Sequence, residues 1–347
     1  NIPVGIIGYI AAALVLRETP IRRGGRFDYG GLITSSLGLF CLLLALSEGV
    51  DEGWTSAYIL SLFYAAIASL ILFVAIELNH ESPILDLRLF KNWNFTFSTI
   101  VVFIGTTGLF GGIFLIPLFM ENLRGLTAMQ TGMLMFPAAM TSGLMMPIAA
   151  KLSDRFGAKP GVVIGIALLA LGTFPFTYLD MDTSSESILM IMVIRGLGLG
   201  LFMMPVSVLG MNTVPLALVS RASAMNNAIR QISGSLGIAM LTTILQNRQI
   251  FHLAQIAENI NQASAPARKM IDYGEKLFTH AGSTAGAAHL KALAFISGLA
   301  QKQSFVFSFD DAFFTLALVC FAGVIPAILL KPVKGHKGAG GAHVMME

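Results

Sequence analysis

The sequence predicts an all-α polytopic membrane protein, and three observations carry that reading. Of its 347 residues, 55% are hydrophobic and only 12% are charged, about half the charged share of an ordinary soluble domain. The mean hydropathy is +0.75. The charges also cluster: none stands between Lys91 and Glu121, or between Arg124 and Lys151. As helices, such runs are long enough to cross a hydrocarbon layer of about 30 Å.

Nine spans follow in order, at roughly residues 1–16, 30–47, 56–77, 95–120, 128–150, 160–179, 188–212, 222–246 and 311–330. The first is short. It opens at Asn1, inside an apolar run with no basic region before it, so the chain is expected to begin partway through a longer protein. The connecting segments alternate in charge. One set carries Arg17, Arg22, Arg23 and Arg26, then Arg88 and Lys91, then Lys151, Arg155 and Lys159, then Arg221, then Lys331, Lys334 and Lys337. The opposite short loops carry Arg124 alone among cations, with Glu48, Asp51 and Glu52 in one and Asp180, Asp182 and Glu186 in another. The positive-inside rule then places the cation-rich side and the C-terminus in the cytoplasm.

One connection is long. Residues 247–310 fall on the outer side, with helical spacing over 251–278, a second short helix over 289–300, and breaks at 259–266 and 281–286. They are read either as a loop folded over its own helix ends or as a docking surface for an external partner, such as a periplasmic adaptor protein. Residues 79–94, NHESPILDLRLFKNWN, suit a cytoplasmic segment in the membrane interface, with Trp93 near the headgroups. The tail at 334–347, KGHKGAGGAHVMME, is glycine-rich and expected to be disordered.

Several function classes are excluded. The sequence holds no P-loop, no HExxH and no supported nucleophile elbow, so no enzyme activity is expected. Arg195-Gly-Leu-Gly-Leu-Gly200 follows no strand and fails as a dinucleotide motif. Its glycines, with Gly108/Gly112 and Gly161/Gly165, are read as close helix packing. The six histidines show no metal-ligand spacing, so no metal or cofactor is expected. Cys41 and Cys320 are read as free thiols within apolar runs. The net charge of +3 gives no reason to expect nucleic acid. Pro117, Pro137, Pro147, Pro175, Pro205 and Pro326 fall within spans and are expected to kink them.

Two ionisable groups stand well inside spans, Arg195 and Arg230. A charge in hydrocarbon costs at least a few kcal/mol, so such groups usually face a protein interior or a wet cavity. Both also have the reach to snorkel outward. Arg230 shares a helix face with Asn226 and Ser233, beside a second polar row of Asn227 and Gln231. That stripe is read as cavity lining or as interhelical hydrogen bonding. Met203 and Met204, beside Pro205, are either lipid-facing filler or part of an adaptable apolar pocket. No Asp or Glu stands mid-span, so either a proton-coupling acid lies upstream of Asn1, which is the preferred expectation, or there is no proton coupling.

Residues 150–159, AKLSDRFGAK, form a short charged loop between two spans. Asp154-Arg155-Phe156-Gly157 there resembles the loop signature of the major facilitator superfamily, G-x-x-x-D-R-x-G-R-[RK]. Ala150 and Ala158 depart from it and Lys159 matches its last position. Three further strings resemble the fourteen-span drug:proton antiporters of the EmrB/QacA type: Asn1-Ile-Pro-Val-Gly5, SPILDLRLFKNWNF at 82–95, and SRASAMNNAIRQISGSLGIA at 220–239. The resemblance covers nearly the whole chain and implies that it holds spans six to fourteen. Residues 1–29 are then the last span of an N-terminal bundle and a cytoplasmic linker. Residues 30–94 are two extra spans and the interfacial segment. Residues 95–331 are the C-terminal six-helix bundle, with 247–310 as its periplasmic loop, and 332–347 are the tail.

The resemblance also implies a proton-driven exporter of amphipathic small molecules, working by alternating access. Its energy source is the proton gradient. Asp154, Arg155, Gly157 and Lys159 belong to a cytoplasmic gate loop on this reading. Arg195 sits where a central helix carries an arginine in related carriers. Two rivals remain on the same fold: an exporter of siderophores, lipids or peptides, and a non-transporting membrane scaffold.

Overall fold

The structure is a computed structural model that describes residues 2–15, 28–80, 85–215, 218–260 and 265–332. The arginine-rich segment 16–27 and the glycine-rich tail lie outside the described residues. The described chain is helical, with no strand. Its elements are α1 (Ile2–Val15), α2 (Tyr29–Glu48), α3 (Ala57–Asn79), α4 (Trp93–Asn122), α5 (Ala128–Phe156), α6 (Ala158–Thr173), α7 (Ser185–Met211), α8 (Val219–Asn259), α9 (Ala265–His280), α10 (Ala285–Ala322) and α11 (Val324–Leu329). Among the described residues eight helices are long and apolar enough to cross a membrane. The remaining expected span, the first at 1–16, corresponds to α1. Its 14 described residues reach only about 21 Å at the helical rise, short of the hydrocarbon thickness.

The helix starts are set locally. Asp28, Ser56, Asn92 and Ser184 each accept a hydrogen bond from a backbone N–H in the first turn of α2, α3, α4 and α7. Thr127 and Gln130 form a reciprocal capping box at the start of α5.

α7 is the hub. It packs against α5 on one side, α6 on another, and α4 on a third, while α10 closes the bundle against α8, α4 and α6. Small residues allow this. A Cβ on Gly165 would meet the backbone N of Phe202 at 2.6 Å, and one on Gly200 would meet Ser142 O at 2.6 Å. The glycine pairs therefore serve close packing, as the sequence predicts. Two apolar cores result. At the end carrying Glu121 and Asp180, Phe119 meets Phe309 edge-on at 5.3 Å and Phe176 stacks on Phe313 at 5.2 Å. At the end carrying Lys159 and Arg221, Val101, Val162, Phe202 and Val206 form the second core. These are called the acid-rich and cation-rich ends below.

The structure corrects three expectations. First, 247–310 is not a separate loop. α8 runs unbroken for 41 residues and α10 for 38, each about 60 Å, twice the hydrocarbon thickness. Both overshoot the acid-rich end, and amphipathic α9 packs on α10 there. Polar positions within a helical period do not stop a helix; only the breaks near 260 and at Gly282, with φ +85°, do so. His252 Nε2 and Asp311 Oδ2, 2.9 Å apart, tie the two long helices together. Second, two prolines stand just after breaks in their spans instead of inside a continuous helix. Pro175 sits in the first turn of a 3-10 segment that ends α6, and Pro326 in the first turn of α11. A first turn has no helical N–H bond for proline to remove. Third, residues 150–159 are not a loop. α5 continues to Phe156 and α6 starts at Ala158, so Gly157 alone is the joint, at φ +86°, ψ 160°. That conformation is open essentially to glycine only.

Between α3 and α4, Leu87–Lys91 form one 3-10 turn, followed by a clasp. Asn92 Nδ2 donates to Thr213 O at 3.0 Å, Trp93 Nε1 to Leu329 O at 3.0 Å, and Asn94 Oδ1 accepts from Lys331 N at 2.9 Å. The N-terminus of α4 is thereby stitched to the ends of α7 and α11.

Candidate functional site

The polar groups expected within the spans separate into two environments. Arg195, on α7, is 4% exposed. Its Nη2 donates to the carbonyls of Gly108 and Leu109 on α4, and its Nε is buried with no partner. A Cβ on Gly112 would overlap the guanidinium, and one on Gly172 would meet the Arg195 backbone N at 2.8 Å. Gly112 on α4 thus leaves the slot that the guanidinium fills, while Gly172 on α6 lets the Arg195 backbone approach. Arg195 neither snorkels to the surface nor lines an open wall. Of the sequence readings, the protein interior is the one seen here, and Gly112 leaves the volume that the guanidinium fills.

Arg230, on α8, is half-buried and faces α7. Its Nη2 donates to Ser207 Oγ at 2.7 Å, while its Nε is buried without a partner. One turn away, Asn226 Nδ2 approaches Met211 Sδ at 3.8 Å, and its Oδ1 is buried and unpaired. Ser233 continues the face: its carbonyl accepts from Thr107 Oγ1 of α4 at 3.2 Å. Of the two sequence readings, interhelical hydrogen bonding is the one visible here. The unused Nε and Oδ1 leave the seam with spare donor and acceptor capacity. Asn227 and Gln231 stand beside it, exposed. Met203 packs against the cation-rich core, whereas Met204 is 44% exposed. The two methionines therefore do not share one wall.

Asp154, Arg155, Gly157 and Lys159, the residues expected in a gate loop, cluster at the α5–α6 joint. Asp154 and Arg155 are exposed on the last turn of α5, and Lys159 lies in the first turn of α6. Arg155 lies over the Phe156 ring at 5.3 Å. Among the described residues neither Asp154 nor Arg155 makes an ion pair, so the local pair the sequence allows is not formed.

Sequence reasoning passed over two features. Asp28 and Glu77 are buried carboxylates, 4% and 2% exposed, that converge at Gly31 where α2 meets α3. Asp28 Oδ1 accepts from Gly31 N at 2.7 Å, and Glu77 Oε1 from Leu85 N at 3.0 Å. Glu77 falls on the last residue of its expected span, where a charge looks like an ordinary end. The second feature is Trp54, whose Nε1 donates to Thr243 Oγ1 on α8 at 3.1 Å. A contact 189 residues away leaves no local signal.

A multi-pass bundle of glycine-packed helices with one polar seam defines a membrane-embedded protein with buried hydrogen-bonding capacity. A profile of the Major Facilitator Superfamily matches residues 3–238. The chain belongs to that family of membrane transporters. It is 35% identical over 337 residues to the uncharacterized MFS-type transporter YhcA of Bacillus subtilis (strain 168), covering 97% of this chain and 63% of that protein. It is 31% identical to the multidrug transporter protein MdtP of the same organism, covering 96% and 64%. It is 26% identical to the multidrug export protein EmrB of Escherichia coli (strain K12), covering 98% and 66%. The chain thus spans about two-thirds of the length of these relatives. The expected likeness to multidrug members is present in their names.

Proposed function

We propose that this chain supplies the second bundle of a proton-coupled multidrug exporter of a bacterial inner membrane, with the cation-rich end and the C-terminus cytoplasmic. One observation carries the reading: the α7–α8 seam. Arg230 and Asn226 each keep a buried polar atom unpaired there, next to the exposed row of Asn227 and Gln231. Such a row is costly against lipid and suited to a wet surface shared with other helices. The relatives named as multidrug exporters support the cargo class. Arg230, Asn226, Gln231 and Met204 present donors, acceptors and a deformable thioether to an amphipathic cargo. Arg195 sets the α4–α7 spacing rather than touching cargo. Asp154, Arg155, Gly157 and Lys159 form the cytoplasmic latch, with Gly157 as its pivot. Helix extensions α8 and α10 make a periplasmic cap, and exposed Tyr273 and Leu277 on α9 are the surface an adaptor would meet. Pull-down with and without residues 265–280 tests that contact.

The transport test uses everted membrane vesicles expressing the complete carrier and a fluorescent amphipathic dye. Dye uptake is expected on energisation and is abolished by nigericin, which collapses the pH gradient. Arg230→Ala is expected to cut the uptake rate at least tenfold, about 1.4 kcal/mol, at unchanged membrane abundance. Wild-type rates with Ala at 230 remove it from the cargo path. Uptake of a peptide or siderophore in place of the dye changes the cargo but keeps the fold's role.

A further inference from the structure

The α2–α3 hairpin is pinned to the bundle at its acid-rich end. Trp54, in the α2–α3 turn, donates its Nε1–H to Thr243 of α8. Its ring lies over Gly49, where a Cβ would meet Cζ3 at 2.5 Å, and stacks on Phe63 at a centroid distance of 6.3 Å. The pin holds α2 against α8 without closing the space beneath. A cavity of about 290 Å³ remains between α2, α4 and α8, near the lower bound of small-ligand clefts.

Its lining has two parts. Phe114 of α4 and Ile238 of α8 give an apolar wall. Ser47, Ser235 and Thr242 bring hydroxyls, and Asp51 brings the one ionisable group of the lining. Asp51 is exposed and makes no ion pair among the described residues. The turn from Glu48 to Ser56 also holds Glu48 and Glu52 and no cation. The potential at the mouth is therefore negative, and the low-dielectric wall behind it focuses that field.

We propose that this cavity is a lateral binding site for a small amphipathic cation. The apolar body of the ligand lies against Phe114 and Ile238, and its cationic head meets Asp51 and the Ser47 hydroxyl. The site is distinct from the α7–α8 seam. It is made by α2 and the turn after it against α4 and α8, and it does not depend on the transport reading.

The chain itself provides the probe. It contains two tryptophans: Trp54 beside the cavity and Trp93 at the opposite end of the bundle. The full chain carrying Trp93→Phe, in lipid nanodiscs, reports on Trp54 alone. Benzyltrimethylammonium is titrated against its uncharged isostere, neopentylbenzene. A saturable change in Trp54 emission with the cation only is expected. Asp51→Asn is expected to weaken it about fivefold, the upper range for a partly exposed charge pair, and Ser235→Phe to abolish it by filling the cavity. Asp51 is exposed, so its variant leaves the packing intact; Thr242→Val provides a second lining change of nearly equal volume. Equal responses to cation and isostere overturn the proposal, as does an Asp51→Asn variant that binds as wild type. So does no response at all. Quenching of Trp54 by bromine-labelled acyl chains that the cation fails to displace also overturns it, since the cavity is then a lipid crevice.

Discussion

Arg195 and Arg230 sit on neighbouring helices of one bundle, and the bundle treats them oppositely. Arg195 is sealed. Gly112 leaves it a slot, its Nη2 donates to two α4 carbonyls, and it makes no ion pair among the described residues. Arg230 is half-open. It uses one hydroxyl, Ser207, and keeps an unpaired Nε beside an exposed polar row. The difference teaches that an arginine within an apolar helix is not one kind of signal. Whether it is a packing element or a contact group depends on which residues face it from other helices.

The largest effect expected from this comparison is at the slot. Gly112→Val places a branched side chain where the Arg195 guanidinium lies. Overpacking of this kind costs about 2–3 kcal/mol, read as lost stability in denaturant titrations of the detergent-solubilised chain. The matching test is Gly112→Ala combined with Arg195→Met. A shorter, apolar side chain at 195 should recover most of the loss, giving a coupling of about 1 kcal/mol or more between the positions. Strict additivity would show that Gly112 and Arg195 do not share one volume. Arg195→Met alone is expected to cost little, since a buried charge with no counter-charge is replaced readily by a well-packed apolar group.

A smaller effect is expected at the seam. Ser207→Ala removes the partner of Arg230 Nη2. The loss should be about 1 kcal/mol, the net worth of one such hydrogen bond. Arg230 is half-buried, so water can replace the lost acceptor. If the loss instead matches that of Gly112→Val, the seam is as sealed as the slot and the contrast fails.

Both regions differ in how far the sequence exposes them. The polar stripe of α8 was legible because Asn226, Arg230 and Ser233 repeat at helical spacing, and their shared face is local geometry. The span pattern was legible for the same reason: charge-free runs of bilayer length are local. The slot for Arg195 was not, since it is left by Gly112, 83 positions earlier on another helix. The α8 and α10 extensions were misread because their polar residues resemble loop composition, while the hydrogen bonds that continue the helix carry no compositional mark. Residues 150–159 were misread similarly, as charge density suggested a loop where one glycine suffices. Asp28 and Glu77 escaped notice because burial at a helix end depends on the neighbouring helix, not on the residue.

The smallest effect on stability, and the sharpest test of the open side of the comparison, is at Gln231. Its side chain is exposed one residue from Arg230, so Gln231→Leu should change stability by no more than about 0.5 kcal/mol. Function separates the alternatives. A row turned toward a wet surface shared with other helices loses a hydrogen-bonding group, and dye uptake in everted vesicles falls while stability holds. A row turned toward lipid gains from the substitution, because a polar amide leaves the hydrocarbon. Stability then rises with uptake unchanged, and Arg230 becomes a second buried packing arginine rather than the counterpart of Arg195.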